Sequence, residues 1–367
     1  MRRSDEYYMK MALALAVKAK GLTSPNPMVG AVVVKRGRVV GEGYHKRAGS
    51  DHAEVIALKK SAGRAAGATL YVNLEPCAHY GKTPPCVDRV INSGIKRVVT
   101  GMIDPNPLTR GKGSLILRRA GIDVKNGVLP EESKRLNEAF ITYITEKRPF
   151  VTVKAAESID GKIATRKGDS RWISSEKSRR MVHAMRSEAD AVMVGVNTVV
   201  ADDPLLTSRM NGSARRQPLR IIVDARLSAP LSSKVFSKKL AGNTIVATTR
   251  YASRNKMNAL EKKGVELLTF NGSGRRVDLK KLLKALSARG VINLLVEGGG
   301  TLISSLLNEG LVDKVLFFIA PKIIGGSSAV TAVEGAGAAK VKDAIKIESI
   351  SVERAGEDIL LSGYVRR

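Results

Sequence analysis

Residues that can bind a soft metal ion occur together early in the sequence. His52 precedes Glu54 by two positions, and Cys77 and Cys86 follow, each directly after a proline. One imidazole and two thiolates suit zinc, and three protein ligands leave its fourth position open to water. Glu54 need not be a ligand, since a carboxylate placed there can accept a proton from that water and pass it on. We therefore predict a catalytic zinc site in which His52, Cys77 and Cys86 hold the metal.

The two cysteines are the only ones in the chain. A disulfide is the alternative to metal binding, but we recognise no signal sequence and expect a cytoplasmic protein, where disulfides are rare. His-x-Glu followed by Pro-Cys-x-x-Cys is typical of zinc nucleobase deaminases, although here eight residues separate the cysteines. A helix predicted to begin at Cys86 would favour its thiolate through the helix dipole.

The composition limits the size and the partners of the protein. Its 367 residues suffice for two domains, and no apolar run is long enough for a membrane span. The net charge of +28 could attract nucleic acid, but the excess is spread along the chain: residues 1–146 hold 24 Lys and Arg against 13 Asp and Glu. Aromatic residues make up 4%, which leaves few rings for stacking bases. We expect small phosphorylated ligands, no nucleic-acid or membrane partner, and a homo-oligomer.

Hydrophobic periodicity predicts two α/β domains, residues 1–146 and 147–367, joined at the charged stretch that ends in Pro149. In the first domain we predict helices over 4–20, 53–61 and 131–143. The predicted strands are 29–34, 39–43, 69–74, 97–103 and 122–128. In the second domain we predict a mostly parallel sheet that closes with an antiparallel hairpin. Its predicted strands are 150–155, 191–196, 219–223, 244–248, 265–270, 292–296, 314–319, 348–353 and 359–365.

A glycine loop, Gly298-Gly299-Gly300, follows one predicted strand of the second domain and precedes a predicted helix. Such a loop lets backbone N–H groups approach a phosphate at a helix N-terminus, although many turns of this kind are purely structural. It does not match G-x-G-x-x-G, so it is not a dinucleotide-binding fingerprint of the Rossmann type.

Longer stretches resemble a known family, the bifunctional deaminase/reductases of riboflavin biosynthesis. The first half carries Thr-Ser-Pro-Asn-Pro-Met-Val-Gly at 23–30, Gly-Tyr-His at 43–45 and Glu-Pro-Cys-Ala-His-Tyr-Gly-Lys-Thr-Pro-Pro-Cys at 75–86. The resemblance implies a cytidine-deaminase-like domain that deaminates a phosphoribosylated diaminopyrimidinone. It implies that His52, Cys77 and Cys86 hold zinc and that Glu54 carries protons. The residues that it places at the substrate are Asn26, His45, Ala53, His79 and Lys82.

The second half resembles the reductase of the same family through Lys-Ala-Ala-Glu-Ser-Ile-Asp-Gly-Lys at 154–162 and Ser-Arg-Trp-Ile-Ser at 170–174. The resemblance implies a fold similar to dihydrofolate reductase and NADPH as cofactor. It assigns to NADPH the residues Ala156, Trp172, Thr198, Asp202, Gly299, Gly300, Thr301, Leu302, Ile303, Ser304 and Ser305. It assigns to the substrate the residues Lys154, Ser170, Arg186, Leu206, Arg209 and Glu297, with Arg186 and Arg209 suited to clamp a phosphate.

One alternative stays open at this point. A nucleic-acid base deaminase whose second domain binds RNA would share the zinc motif and would explain the positive charge.

Overall fold

The chain divides into two compact units, Met1–Arg148 and Pro149–Arg367. The computed structural model describes residues 3–79, 84–209, 216–240, 243–272 and 276–366. Among these residues, no helix combines the length and the apolar character that crossing a bilayer requires.

The first unit alternates strands and helices. Its described elements are α1 (Asp5–Val17), β1 (Gly30–Lys35), β2 (Arg38–Tyr44), α2 (Ala53–Lys60), β3 (Thr69–Leu74), α3 (Cys86–Asn92), β4 (Arg97–Met102), α4 (Lys112–Arg119), β5 (Asp123–Asn126), α5 (Pro130–Leu136) and α6 (Glu138–Glu146). The strands form one sheet in the order β2-β1-β3-β4-β5. β1 runs antiparallel to both of its neighbours, and β3, β4 and β5 are parallel.

Alternate residues of the central strands supply the cores on the two faces of this sheet. Val32 and Val34 of β1 pack with the buried side chains of α1. Ala31 and Val33 point the other way and pack with residues of α2, α3 and α4. The sheet is therefore a middle layer, and α2 and α3 lie on the same face; of the predicted zinc ligands, His52 directly precedes α2 and Cys86 begins α3.

Two glycines let α2 lie directly on strand β2. A Cβ atom at Gly41 would come within 2.2 Å of the Ala57 carbonyl oxygen, and one at Gly43 within 2.7 Å of the Ala53 carbonyl oxygen. Any larger residue would push the helix away from the sheet. Since His52 is the N-cap of α2 and Glu54 lies in its first turn, these glycines also set the depth at which both groups are held.

The prediction of a single helix over 131–143 is wrong. The structure has two helices there, α5 and α6, which meet at Asn137. The Asn137 side chain accepts a hydrogen bond from the Met28 N–H (2.8 Å) and donates one to the Met28 carbonyl (3.1 Å). This long-range pairing, together with a non-helical backbone at Asn137, interrupts a sequence whose periodicity favours one helix.

The second unit contains a larger sheet. Its described elements are β6 (Phe150–Ser158), α7 (Glu176–Glu188), β7 (Ala191–Gly195), α8 (Val196–Asp202), β8 (Leu219–Val223), β9 (Thr244–Thr248), α9 (Arg254–Lys262), β10 (Glu266–Thr269), α10 (Leu279–Ala288), β11 (Asn293–Val296), α11 (Gly300–Asn308), β12 (Lys314–Ala320), β13 (Ile347–Ala355) and β14 (Asp358–Val365), with short 3₁₀ turns at Lys234–Phe236 and Val341–Asp343.

The strand order of this sheet is β10-β9-β8-β7-β11-β6-β12-β14-β13. All neighbours from β10 to β12 are parallel, and β14 and β13 add an antiparallel hairpin at one edge. The predicted mostly parallel sheet with an antiparallel hairpin is confirmed. Parallel strands place the turns that follow them at one edge of the sheet, where ligands bind in open α/β folds.

The closing hairpin also anchors helix α7. The buried Asp358 carboxylate accepts hydrogen bonds from the Ser175 N–H (2.7 Å) and the Ser178 hydroxyl (2.5 Å) at the start of that helix. A carboxylate beside a helix N-terminus is stabilised by the unpaired N–H groups there. The C-terminal hairpin thus fixes the orientation of α7, which carries Arg186.

Candidate active sites in the two units

The predicted zinc ligands of the first unit lie together. The His52 Nδ1 is 3.1 Å from the Cys86 Sγ and 3.6 Å from the Cys77 Sγ, and both cysteines are free thiols. In tetrahedral zinc sites, nitrogen and sulfur ligands are separated by about 3.6 Å, given Zn–N and Zn–S bonds near 2.1 and 2.3 Å. The donor set and its spacing therefore fit one zinc ion.

The environment of Cys77 also favours the form that binds metal. A hydrogen bond from the Cys86 thiol outweighs the effect of burial and, with the contribution of His52, lowers the pKa of Cys77 to about 4. The backbone N–H of Cys86 also donates a hydrogen bond to the Cys77 Sγ at 3.4 Å. Metal ions bind thiolate rather than thiol, so the lowered pKa of Cys77 favours it as a metal ligand.

Glu54 is buried in the first turn of α2, with 3% of its surface exposed. Burial raises the pKa of Glu54, and the neighbouring Cys77 raises it further, while His52 acts in the opposite direction. A carboxylate whose pKa is shifted toward neutrality can both accept and donate a proton under ordinary conditions. Glu54 thus has the burial and the charge environment of a general acid/base.

His45 is buried beside the predicted ligands, and its ring packs edge-on against the His52 ring at 5.4 Å. Its Nδ1 lies 3.2 Å from the Asp51 carbonyl oxygen, so that nitrogen carries the proton. Its Nε2 lies 3.1 Å from the Asn26 Nδ2 and accepts that amide N–H. Burial, the largest effect, lowers the pKa of His45 and keeps the ring neutral. The structure therefore places His45 beside the predicted ligand His52, and Asn26 beside His45.

The loop that carries Asn26 is held by two asparagines that the sequence analysis missed. Asn73, fully buried on β3, accepts the Gly30 N–H (2.8 Å) and donates to the Met28 carbonyl (3.0 Å). Asn137 also binds the Met28 backbone, through the two hydrogen bonds described above. The sequence did offer a signal for Asn73: it is a polar residue inside the apolar run 70–74, and a buried amide needs hydrogen-bond partners.

The other predicted substrate contacts of this unit have different surroundings. Ala53 is buried at the first position of α2, directly after His52. His79 is exposed just beyond Cys77. Lys82 lies outside the described residues.

In the second unit, a cavity of about 650 Å³ lies beside β6 and α7. Most residues assigned above by resemblance line it: Lys154, Ala156, Ser170, Trp172, Arg186, Thr198, Asp202, Leu206, Arg209, Glu297 and Gly299. They come from β6, α7 and α8, from the segments that follow β6 and α8, and from the turn after β11. The tertiary fold thus brings together side chains that lie far apart in sequence.

Three charged side chains form a buried cluster in the wall of this cavity. Arg186 pairs with both carboxylate oxygens of Glu297, with Nη2–Oε2 at 2.8 Å, and the Lys154 Nζ lies 3.7 Å from Oε2. Burial alone would raise the pKa of Glu297, but Arg186 and Lys154 outweigh it and lower that pKa to about 2. Burial also lowers the pKa of Lys154, against the attraction of Glu297. One anion and two cations leave the wall with a net positive charge, which suits an anionic ligand.

Helix α7 contributes, beside the predicted Arg186, two residues that the sequence analysis did not single out, Arg179 and His183. Arg179, His183 and Arg186 are spaced i, i+4 and i+7, so they share one helix face, and all three line the cavity. The Arg179 guanidinium stacks on the Trp172 ring at 4.5 Å, and 63% of Trp172 is exposed. An exposed tryptophan at a cavity is not a packed core residue, and it offers a surface for a flat ring.

The residues of the glycine loop divide between the cavity and the core. Gly299 lines the cavity, and its N–H donates to the Thr198 Oγ1 at 3.1 Å. Gly300 instead faces the protein, since a Cβ there would lie 2.4 Å from the Glu334 Cγ. Leu302 and Ile303 pack in the hydrophobic core, so only their backbone could face a ligand. Thr301 binds Glu334, Ser305 binds the Thr301 carbonyl, and Ser304 is buried.

Comparison with known proteins agrees with both sites. Residues 149–361 match the RibD C-terminal domain, and residues 2–102 match the zinc-binding region of cytidine and deoxycytidylate deaminases. The riboflavin biosynthesis protein RibD of Aquifex aeolicus is 49% identical over 98% of both chains. The Escherichia coli protein of the same name is 39% identical over 97% of this chain and 98% of its own.

The chain belongs to the RibD family. It is a bifunctional enzyme of riboflavin biosynthesis, with a zinc-dependent deaminase in its first half and an NADPH-dependent reductase in its second. Acinetobacter baumannii RibD has a closely similar structure, with a TM-score of 0.88 at 36% identity over 99% of both chains.

A second solved structure is a diaminohydroxyphosphoribosylaminopyrimidine deaminase/5-amino-6-(5-phosphoribosylamino)uracil reductase from Thermotoga maritima. It gives a TM-score of 0.86 at 39% identity, again over 99% of both chains. The predicted family, fold class, cofactors and paired activities are confirmed. The RNA-binding alternative is not supported, because the second half matches a RibD domain.

Proposed function

We propose that this RibD protein acts on the substrates named for its Thermotoga relative: it deaminates the phosphoribosylated diaminopyrimidine and then reduces the phosphoribosylamino group of the product. The observation that carries the first step is the cluster of His52, Cys77 and Cys86 with buried Glu54 beside it. His52, Cys77 and Cys86 would hold zinc, which would supply a Lewis acid that lowers the pKa of water.

Side chains of the first unit carry out the proton transfers and position the substrate. The Glu54 carboxylate takes one proton from the attacking water and delivers it to the ring nitrogen. It then takes the proton of the new hydroxyl group on the ring carbon and delivers it to the amine, which leaves as ammonia while the carbonyl forms. Neutral His45 keeps Asn26 oriented through the Nε2 hydrogen bond, so the Asn26 amide can position the pyrimidine. Ala53, His79 and Lys82 complete the proposed substrate contacts.

For the reductase we propose that NADPH occupies the cavity of the second unit, against Ala156, Trp172, Thr198, Asp202 and residues 299–305. The substrate lies against Lys154, Ser170, Arg186, Leu206, Arg209 and Glu297. Within that set, three N–H groups of Arg186 already bind Glu297 and the Thr207 carbonyl. Arg209 is therefore the better phosphate ligand, and Arg186 acts by holding Glu297 at the cavity wall.

The assembly and location of the protein stay predictions. The feature that supports a homo-oligomer is the edge strand β13, where Ile350 and Val352 are 58% and 62% exposed. Edge strands with exposed apolar residues favour pairing with another chain. A cytoplasmic location and the absence of nucleic-acid partners rest on the composition described above.

The role of Glu54 is tested with Glu54→Gln, which keeps the size of the side chain but cannot take the proton. Zinc content should stay near one per chain, and deamination should fall by about 10² or more. Reduction of the deaminated substrate by the same preparation should be unchanged, and exposed Glu132→Gln is the matched control. Loss of zinc together with activity would make Glu54 a ligand and would overturn the assignment.

A further inference from the structure

Glu75 lies between strand β3 and the proposed zinc ligand Cys77, and it is 3% exposed. Its carboxylate accepts three backbone N–H groups: Ser114 at 2.8 Å, Gly111 at 2.9 Å and Asp104 at 3.2 Å. Its own N–H donates to the Met102 carbonyl, which extends the pairing of β3 with β4. A buried carboxylate with three backbone donors is a firm attachment point, because each of these hydrogen bonds is charge-assisted.

The three donors belong to one segment, residues 104–114, which leads into helix α4. Asp104 gives this segment its own internal order, because its carboxylate accepts the Asn106 N–H (2.9 Å) and the Thr109 hydroxyl (2.7 Å). These two bonds stay within the segment. Of these two acidic side chains, Glu75 is the one that links the segment to the chain entering the metal site.

The same segment packs closely against Pro76, the residue before Cys77. A Cβ at Gly113, in the first turn of α4, would lie 2.1 Å from the Pro76 carbonyl oxygen and 3.2 Å from the Glu75 Cγ. From the opposite side, the Val87 N–H at the start of α3 donates to the Cys77 carbonyl at 3.3 Å. Cys77 is thus held between the N-terminal turns of two helices, and Glu75 supplies the attachment on the α4 side.

We propose that Glu75 is a positioning residue for the metal centre: by fastening residues 75–77 to the start of α4, it places the Cys77 thiolate at the spacing that zinc requires. The inference rests on the proposed ligands His52, Cys77 and Cys86. It assigns no chemical step to Glu75, which acts on the metal through the backbone of Pro76 and Cys77.

The test compares two conservative variants of the full chain, Glu75→Gln and Asp104→Asn. Glu75→Gln keeps the shape of the side chain but turns one acceptor oxygen into an amide that faces N–H donors. Asp104→Asn weakens the same segment without touching the chain next to Cys77. The measurements are zinc affinity by chelator competition and the absorption spectrum of the cobalt(II)-substituted protein, whose bands report thiolate coordination and its symmetry.

Glu75→Gln should weaken zinc binding by about 10- to 100-fold, as for other residues that orient a ligand, and should alter the cobalt spectrum. Asp104→Asn should leave the spectrum unchanged and the zinc affinity within a few-fold of the parent. Circular dichroism melts of each variant beside the parent serve as the check that the first unit is folded, because reductase activity reports only on the second unit. If Glu75→Gln does not fold, Gly113→Ala displaces Pro76 directly and should give the same loss of affinity.

Equal zinc affinity and an unchanged cobalt spectrum in Glu75→Gln would refute the positioning role, as would an equal loss in Asp104→Asn. If Gly113→Ala has to stand in, unchanged metal binding in that variant would refute it too. A parent protein that binds neither metal would instead refute the proposed ligand set, so the two failures are distinguishable.

Discussion

Two buried glutamates illustrate how the surroundings of a residue decide its chemistry. Glu54 is buried with a thiol and a histidine nearby, and its pKa is raised, so it can exchange protons near neutral pH. Glu297 is buried as well, but Arg186 and Lys154 lower its pKa to about 2, so it stays an anion. The first environment suits proton transfer, and the second suits a fixed charge that orders two cations.

We predict that Glu297→Gln destabilises the second unit, because it leaves Arg186 and Lys154 buried without their anion. Breaking a buried ion pair costs about 3–5 kcal/mol, so the free energy of unfolding should fall by that order and reduction should be lost. Deamination should persist. Glu266→Gln, which breaks the exposed pair with Arg289, should change the unfolding free energy by less than about 1 kcal/mol.

The loss of unfolding free energy in Glu297→Gln should also depend on pH, and its direction can be predicted. Because the pKa of Glu297 is lowered in the folded protein, its contribution is complete above the unfolded value of about 4.3 and disappears as pH falls through about 2. Urea unfolding of parent and variant should therefore differ fully at neutral pH and converge as the pH falls below the unfolded value. A difference that grows toward low pH would contradict the assignment of Glu297 as the buried anion.

At the scale of elements, glycines decide how closely helices and turns approach their neighbours. Gly41 and Gly43 let α2 lie on β2, and Gly300 lets α11 begin against residues 331–334. Gly299 is different: among the described residues, a Cβ there would meet only the Thr198 Oγ1 at 3.6 Å, which is ordinary contact. Gly300 is thus required by packing, and Gly299 is free to serve a ligand in the cavity.

We predict that Gly299→Asp raises the KM for NADPH by orders of magnitude while deamination is kept. A carboxylate about 4 Å from a cofactor phosphate is repelled by roughly 4 kcal/mol at an effective dielectric of 20. Gly299→Asn has nearly the same size without the charge and should raise the KM far less. Equal effects of Asp and Asn would show that the loop excludes the cofactor by size, and no effect of either would place the phosphates elsewhere.

At the scale of the whole chain, each unit has the parts of an independent domain. The first unit holds two hydrophobic cores, one on each face of its sheet, and the second holds its own cores around the nine-stranded sheet. The division at Arg148/Pro149 follows directly on helix α6 and precedes β6. Each proposed active site draws its described residues from one unit.

We predict that residues 1–148 and 149–367 fold when they are produced separately. The first fragment should bind zinc and deaminate, and the second should reduce the deaminated substrate with NADPH. Circular dichroism melts and the two activity assays are the measurements, with the full chain as control. Insoluble fragments, or reduction that requires the first fragment in the same tube, would mean that the units depend on each other.

Much of this protein is determined by local features of its sequence. The alternation of apolar runs predicted the two α/β layers and most strands, because strand and helix periodicities depend on neighbouring residues. The chain has only two cysteines, and zinc binding would use both on one ion, so the sequence alone sufficed to group Cys77 and Cys86 with His52. The antiparallel hairpin at the C-terminus could likewise be predicted from its turn at Gly356.

The tertiary structure alone decided which distant side chains meet. Asn137 breaks a predicted helix because its amide binds Met28, Arg186 is occupied by Glu297, and Glu75 finds its donors near α4. None of these pairs leaves a periodic signal, since the partners lie far apart in sequence. Burial removes such polar groups from water and obliges them to pair, and only the folded chain determines with which partner.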